Sequence, residues 1–249
     1  MMEIDIITIF PEMFQGFLQV GLLGQLREKD LVRVGVHDLR QFAHDRHRTV
    51  DDYPFGGGPG MVFKPEPLFE AVEALRKEGS WVVLMDPQGV PFHQALAQEL
   101  AQRPHLLLLC ARYEGVDERV REHLADQEIS LGDFVLCGGE VAAMVVVEAV
   151  ARLQPGALGS PQALEEDSHT WDLLEYPQYT RPTAFRSWAV PEILLSGHHA
   201  KIARWRREQA IARTLKRRPE LLEKARLTQE DRRFLGKIKA SEGKDGDQT

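Results

Sequence analysis

Three short loops have the residue types to bind a ligand through their backbone, because each follows an apolar run and carries glycine. The runs and their loops are residues 81–85 with 86–89, 106–110 with 111–115, and 129–131 with 132–139. Glycine has no Cβ, so a ligand can approach its backbone closely. Gly138 and Gly139 also precede a helix, whose first amides point into the same space. Because ligands bind outside the carboxyl ends of strands in open α/β sheets, the spacing predicts one pocket formed by the three loops.

A polar, glycine-rich segment at residues 44–61 has no regular periodicity and exceeds the usual length of a connection, which is typical of a functional loop. The candidate metal ligands in it are His44, Asp45, His47 and Asp51. No second ligand pair follows at the spacing of a metal site. The composition instead favours a structural network that holds Arg46 and Arg48 near phosphate or near a partner subunit.

Charge is distributed unevenly along the 249 residues, whose formal net charge is −7. Residues 201–218 contain eight Lys/Arg and one acid, Glu208, for a local charge of +7. Residues 219–249 hold seven bases and seven acids, so residues 1–200 carry −14. The whole molecule is therefore not attracted to nucleic acid, but a basic segment in an acidic chain indicates a local binding surface for a polyanion.

The composition, with 43% hydrophobic and 28% charged residues, is ordinary for a soluble globular protein. Cys110 and Cys137 lie in or beside apolar runs and predict buried free thiols in a reducing cytoplasm. The apolar N-terminal run is short and carries acids, which predicts a strand rather than a signal peptide. No apolar run approaches the roughly 18 residues of a membrane helix. We therefore expect a cytoplasmic protein without a membrane segment.

The elements that must position the three loops alternate between strand and helix, which predicts a parallel sheet covered by helices. Strands are expected at residues 2–10, 31–36, 80–86, 105–110 and 128–131, and helices at 11–29, 65–79, 92–103, 116–124 and 139–153. Residues 154–190 mix prolines, glycines, acids and aromatics without a period and predict a linker. Helical segments resume at Pro191, with Pro219 opening one helix and Thr228 capping another.

Motifs along nearly the whole chain resemble those of the bacterial tRNA (guanine-N1)-methyltransferases, members of the SPOUT class of knotted methyltransferases. In chain order they are ITIFPEMF, HDRHRTVDDYPFGGGPGM, DPQG, RYEGVDERV, LGDFVLCGGE, ARLQPG, EEDS, YPQYTRP, VPEILLSGHHAKI and RWRREQA. The resemblance implies an α/β fold with a SPOUT-type parallel sheet, a deep trefoil knot and a small all-α C-terminal domain. The element pattern alone favours an ordinary doubly wound sheet, since true knots are rare.

The resemblance further implies methyl transfer from S-adenosylmethionine (SAM) to N1 of guanosine 37 of tRNA, next to the anticodon. It implies a SAM-binding knotted domain at residues 1–158, an interdomain linker at 159–190 and a helical tRNA-binding domain at 191–249. A homodimer with the active site at the subunit interface is also implied. Mg²⁺ is compatible with a tRNA substrate, although the sequence does not specify it.

By the same resemblance, the three loops bind the adenine and ribose of SAM, mostly through their backbone. The expected cofactor-binding residues are Leu84, Pro87, Gly89, Ala111, Tyr113, Glu114, Ser130, Leu131, Gly132, Asp133, Phe134, Val135, Leu136, Gly138 and Gly139. Glu114 is also expected to help orient the guanine ring. The family usually has glycine in place of Ala111 and serine in place of Asp86 and Cys137. Ala111 therefore adds a methyl group at a position of close approach.

Catalysis at guanine N1 requires a base, because N1 carries a proton at neutral pH, and a cation or donor for the charge that develops toward O6. By resemblance, Asp167 is the general base and Arg152 stabilises O6. From the residues alone, Asp167 could be a solvated acid beside Glu165 and Glu166, and Arg152 could complement a helix dipole. The expected tRNA-binding residues are Lys201, Arg204, Arg207, Arg213 and Arg217, all in the basic segment.

Four other functions remain open at this point. A ribose 2′-O-methyltransferase of the same class would leave the EEDS and ARLQPG segments without a role. A cytosine C5-methyltransferase would use Cys110 or Cys137 as its nucleophile, but neither has an obvious activating base. A non-enzymatic RNA-binding module would need only the C-terminal helices. A nucleotide-dependent oxidoreductase would need a GxGxxG segment after the first strand, which this sequence lacks.

Overall fold

The computed structural model of the protein describes residues 1–159, 167–169 and 171–245. The chain divides into two compact units, Met1–Gly159 and Ser160–Thr249. Residues 160–166 and 170, which belong to the predicted linker, lie outside the described residues.

A five-stranded parallel sheet is the centre of the first unit. Its strands are β1 (Met2–Thr8), β2 (Val32–Asp38), β5 (Ser80–Pro91), β6 (His105–Cys110) and β7 (Gln127–Ser130), and β3 (Asp51–Asp52) pairs separately with β4 (Val62–Phe63). The strand order in the sheet is β2-β1-β6-β5-β7, and all four pairings are parallel. The prediction of an α/β fold with a parallel sheet is confirmed.

Six α-helices accompany this sheet. They are α1 (Gln15–Gln19), α2 (Gly21–Glu28), α3 (Pro65–Leu75), α4 (Gln94–Leu100), α5 (Glu118–His123) and α6 (Glu140–Ala151). Side chains alternate between the two faces of each strand, so Leu106 and Leu108 enter one apolar cluster with α2, α4 and α6, whereas Leu107 and Leu109 enter a second cluster with α3 and α5. Both faces are covered, as a parallel sheet requires.

Two local predictions are wrong. The single helix expected from Pro11 to Lys29 is a 3₁₀ turn followed by two helices, because Val20 is extended and Gly21 has φ +65°. The strand expected to end at residue 86 continues to Pro91, with a register shift against β7 between Met85 and Val90. The segment DPQG is therefore a bulge within the strand pairing rather than a separate loop.

The second unit is mainly helical. It contains α7 (Glu192–Leu195), α8 (His199–Arg217), α9 (Gln229–Asp245) and a two-stranded hairpin of β8 (Ala184–Phe185) and β9 (Trp188–Ala189). Leu173, Ala210 and Ile211 form its buried core. Leu173 comes from the segment predicted as a linker. As predicted, Thr228 caps α9: its hydroxyl accepts from the Asp231 amide, while Asp231 accepts from the Thr228 amide, which is a reciprocal capping box.

Within the described ranges, no helix is long and apolar enough to cross a membrane.

Candidate active site

A pocket lies at the bulge of β5 and at the ends of β6 and β7, where the three glycine-bearing segments predict one. Its lining residues are Met85, Asp86, Pro87, Gln88, Ala111, Arg112, Tyr113, Glu114, Gly115, Ile129, Ser130, Leu131, Phe134, Val135, Leu136, Cys137, Gly138, Gly139 and Ala142. All three loops contribute, so the structure brings the three segments together at one edge of the sheet.

Most of the predicted cofactor-binding residues line this pocket, but four do not. Leu84 is fully buried in the core cluster on the side of α3 and α5. Gly89 packs against β7, where an added Cβ would lie 2.4 Å from the Ile129 nitrogen. Gly132 shapes the turn after β7, with φ +147°, and Asp133 is exposed to solvent. The first three position the pocket walls without lining them.

Gly139 brings α6 against the sheet more closely than any side chain would allow. A Cβ at this position would lie 2.8 Å from the Cα of Cys110 and 2.9 Å from the Cβ of Met85. The Gly139 amide donates to the Ala111 carbonyl at 2.8 Å. The glycine therefore joins the start of α6 to the loop after β6, which explains its place in the motif.

A buried ion pair that sequence reasoning missed lies beside Gly138. Glu140, at the first turn of α6, is 1% exposed and accepts from the Arg112 guanidinium at 3.1 Å and from the Thr8 hydroxyl at 2.8 Å. Arg112 also stacks over the ring of Phe10 at 4.3 Å. A carboxylate at a helix N-terminus is favoured by the dipole. Nothing in the local sequence marks Thr8 and Glu140 as neighbours, because they are 132 residues apart.

The glycine-rich segment 44–61 reaches the pocket through the RYEG loop. The Glu114 amide donates to the Met61 carbonyl at 3.0 Å, and a Cβ on Gly60 would lie 2.4 Å from a carboxylate oxygen of Glu114. Tyr113 has φ +60°, an uncommon backbone conformation outside glycine that is often retained at functional sites. Desolvation, followed by the charge of and hydrogen bond to Asp51, raises the pKa of Tyr113, so the phenol stays neutral.

The two cysteines have different environments. Cys110 is buried at the end of β6, and desolvation raises the pKa of its thiol well above the ordinary value. A buried thiol of this kind is a poor nucleophile. Cys137 is exposed, so the expectation of a buried thiol is wrong there, because the loop after β7 lies outside the sheet.

The two predicted catalytic residues belong to different units. Arg152 directly follows α6, and its amide donates to the Glu148 carbonyl at 3.2 Å. Asp167 is half-buried and borders a cleft of the second unit together with Tyr176 and Arg206. Their roles in catalysis remain predictions.

The predicted tRNA-binding side chains of α8 are not equally exposed. Lys201 and Arg217 are exposed to solvent. Arg204 and Arg207 donate to Asp231, whose side chain is only 1% exposed, at 3.1 and 3.2 Å. The fifth, Arg213, donates to the Glu175 carbonyl at 3.2 Å. Three of the five cations therefore also hold the second unit together.

No cluster of three or more His, Cys, Asp or Glu with the geometry of a metal site occurs among the residues that the structure describes. In the 44–61 segment, Asp45 accepts from the His47 amide and from the amide and hydroxyl of Thr49. His44 instead contacts Glu70 on α3 at 2.7 Å. Part of the segment is therefore held by its own hydrogen bonds and by one contact with α3, while the predicted role of Arg46 and Arg48 near phosphate or a partner subunit stays a prediction.

Comparison with known proteins identifies the family. The family model described as tRNA (Guanine-1)-methyltransferase TrmD matches residues 2–224 of this chain. A relative from Brevibacillus brevis, named tRNA (guanine-N(1)-)-methyltransferase, is 58% identical over 238 residues, which are 95% of this chain and 98% of the relative. A relative of the same name from Dictyoglomus turgidum is 56% identical over 96% of this chain and 97% of the relative. Another, from Dehalococcoides mccartyi, is 55% identical over 97% of this chain and 98% of the relative. This chain belongs to the tRNA (guanine-N1)-methyltransferase family.

Proposed function

We propose that this protein transfers a methyl group from SAM to N1 of guanosine 37 of tRNA. The observation that carries the proposal is the pocket at the β5 bulge and the ends of β6 and β7, in a chain that matches the methyltransferase family over residues 2–224. Ligands of open α/β sheets bind at this edge.

The pocket fits the methyl donor in its chemistry. Gly138 and Gly139 keep side-chain atoms away from the start of α6, where an added Cβ would meet neighbouring atoms at 2.5 and 2.8 Å. Leu131, Phe134 and Leu136 supply apolar surface suited to a purine ring. Bound SAM supplies an electrophilic methyl group. The protein has to bind the donor, hold the guanine edge in line with it and accept one proton.

Asp167 is the proposed acceptor of the N1 proton, and Arg152 the proposed donor to O6. Removal of the proton gives N1 the electron pair that forms the new bond, and a cation near O6 stabilises the charge that spreads there. Glu114 lines the pocket and is proposed to orient the guanine ring.

A homodimer with the active site at the subunit interface is part of the proposal. Val141 and Val145 on α6 are 46% and 42% exposed in the single chain. Phe134, Val135 and Leu136, in the loop that precedes α6, are also exposed. Such neighbouring apolar side chains are typical of an interface, and a second copy would cover them. A deep trefoil knot and a cytoplasmic location are proposed on family grounds.

The helical segments from residue 191 onward are proposed to bind tRNA. The basic segment in α8 supports this, because its charges neutralise backbone phosphates without reading sequence. The residues of the pocket, rather than those of α8, would then select guanosine.

The test is transfer of labelled methyl from SAM to two tRNA transcripts, one with guanosine and one with adenosine at position 37. We expect label only in the guanosine transcript, recovered as 1-methylguanosine after digestion. Asp167→Asn should bind SAM normally but transfer methyl about 10²–10⁴-fold more slowly. Glu165→Gln, which neutralises a carboxylate two residues away, is the matched control and should retain the rate.

Other products would contradict the proposal. Label on a ribose 2′-hydroxyl would establish the alternative reaction of the same fold class, and label on cytosine would establish C5 chemistry. RNA binding without SAM binding would support a non-enzymatic module. An unchanged rate in Asp167→Asn would show that another group accepts the proton.

A further inference from the structure

Arg121 is a nearly buried cation beneath the pocket that no step of the proposed reaction uses. It lies on α5, and its side chain is 10% exposed. Its guanidinium contacts three carboxylates: Asp86 at 2.6 Å, Glu118 at 3.2 Å, and Glu128. These acids come from the bulge in β5, from α5 itself and from β7, so one side chain joins three elements.

Asp86 couples this guanidinium to the shape of the DPQG bulge. Its side chain is 4% exposed. One carboxylate oxygen accepts from Arg121, and the other accepts from the Gln88 amide at 2.8 Å. The segment that Asp86 folds in this way lines the pocket through Pro87 and Gln88. A change in the Asp86–Arg121 contact therefore acts directly on the pocket wall.

The Arg121 guanidinium also lies close to the other two walls of the pocket, which are β7 and the RYEG loop. Glu128 lies on β7 immediately before Ile129 and Ser130, which line the pocket. Gly115 ends the RYEG loop, and a Cβ added there would lie 3.6 Å from Arg121 and 3.9 Å from Asp86. Arg121 thus borders all three segments that form the pocket but is not among its lining residues.

The electrostatics favour a charged, fixed side chain. Burial desolvates the guanidinium, which opposes its charge, but hydrogen bonding to Asp86 and the charges of the three acids raise the pKa of Arg121 above its ordinary value. Removing one partner of a buried ion pair leaves an uncompensated charge, whereas removing both avoids that cost. Arginine suits the arrangement because its planar guanidinium offers five donors, while lysine provides one compact charge.

We propose that Arg121 is a positioning residue for the SAM pocket, which holds the DPQG bulge, the RYEG loop and β7 at the spacing that the donor requires. The inference rests on the proposed function, because it names SAM as the ligand. It predicts that loss of Arg121 weakens donor binding more than tRNA binding or the chemical step.

The experiment compares Arg121→Met, Arg121→Lys, Asp86→Asn and the double variant Asp86→Asn/Arg121→Met with wild type. The readouts are the Kd for SAM by calorimetry, KM for SAM, KM for tRNA, kcat and thermal unfolding. Asp126→Asn is the matched control: Asp126 directly precedes β7, accepts from the Val82 amide at 2.8 Å and pairs with Arg76. The Asp126→Asn substitution therefore weakens the contact between β5 and the start of β7 at a point away from the pocket.

We expect Arg121→Met to raise KM and Kd for SAM at least about tenfold, since displaced binding groups lose alignment with the ligand, while KM for tRNA stays constant. Arg121→Lys should stay folded and lie between wild type and Arg121→Met. The double variant should bind SAM better than Arg121→Met, because no buried carboxylate of Asp86 is left unpaired. Asp126→Asn should lower the unfolding temperature and leave KM for SAM unchanged.

Two results would overturn the inference. An Arg121→Lys or Arg121→Met protein that is folded and keeps Kd for SAM within about twofold of wild type would remove the positioning role. An Asp126→Asn variant with the same rise in KM for SAM would show that Arg121 affects SAM binding only through the general stability of the fold. Wild-type protein that methylates guanosine 37 in the same assay separates these failures from failure of the proposed function.

Discussion

The pocket of the first unit and the basic helix α8 of the second are built in opposite ways. The segments that form the pocket approach one another closely at glycines such as Gly138 and Gly139, which the local sequence identifies. Helix α8 carries its chemistry on long cationic side chains, and the second unit already engages some of them. A glycine motif predicts where a pocket forms, whereas a count of charges does not predict which charges remain available to a ligand.

Asp231 is the residue that engages two of the cations of α8. It is 1% exposed and accepts from Arg204, Arg207 and the Thr228 amide. It lies 27 and 24 residues beyond the two arginines, so the sequence of α8 gives no indication that they are engaged. Lys201 and Arg217 remain exposed on the same helix.

Gly139→Ala should have the largest effect, because the new methyl group would clash with the backbone of β6 and with Met85. We expect α6 to shift, SAM affinity to fall by about 10–100-fold and stability to fall by about 1–3 kcal/mol. Calorimetry with SAM and denaturant unfolding measure both. Gly16→Ala, in α1 with open space around the added methyl, is the control and should not lose stability. Unchanged SAM affinity in Gly139→Ala would contradict a pocket built on backbone approach.

Asp231→Asn should have the second largest effect, which is a loss of stability of the second unit. Neutralising this buried partner of two partly exposed arginines should cost the second unit about 1–2 kcal/mol. Desolvation alone would raise the pKa of Asp231, but hydrogen bonds from Thr228 and the charge of Arg207 outweigh it and lower the pKa. The stabilisation by this carboxylate is therefore present above pH ~4 and lost as the pH falls below its lowered pKa.

The measurement is thermal unfolding of wild type and Asp231→Asn at neutral and acid pH. The gap between the two unfolding temperatures should narrow as the carboxylate of the wild type becomes protonated. A constant gap across that range would show that the charge of Asp231 contributes nothing to stability.

Gly60→Ala tests whether the distant glycine-rich segment belongs to the pocket. Its φ of +82° imposes strain of about 1 kcal/mol on alanine, and the methyl group would displace the Glu114 carboxylate. Gly57→Ala is a close match, with φ +79° and open space, so it reports strain alone. We expect similar stabilities and a lower kcat only for Gly60→Ala. Equal kcat values for Gly60→Ala and Gly57→Ala would show that the position of Glu114 does not affect the reaction.

Lys201→Gln and Arg217→Gln should have the smallest effects and no cost in folding. Each should lower tRNA affinity modestly and reduce the slope of log K against log salt by about 1, while stability stays within about 0.5 kcal/mol. Titration of tRNA at several salt concentrations measures the slope. An unchanged slope in both variants would place the phosphate contacts elsewhere.

The sequence predicts well those features that local composition determines. Apolar runs such as 106–110 identify the strands, and glycines such as Gly139 identify the pocket edge. The break at Val20 and Gly21 was missed because the apolar spacing continues across it. The pairs Thr8–Glu140 and Asp86–Arg121 were missed because each joins a strand residue to a helix residue that is close only in the folded protein. The family resemblance supplied the reaction and its residues, which composition does not encode.

The bulge in β5 has a consequence for dynamics. Because residues on both sides of it pair with β7, this wall of the pocket cannot open without disrupting the sheet. Amide hydrogens that hold Met85 and Val90 in the ladder should exchange with solvent only when the sheet itself opens. The exposed stretch at Phe134–Leu136 has no such restraint from strand pairing. We therefore expect the loop after β7, rather than the paired segment of β5, to be the wall of the pocket that adjusts when a ligand or a second copy of the chain binds.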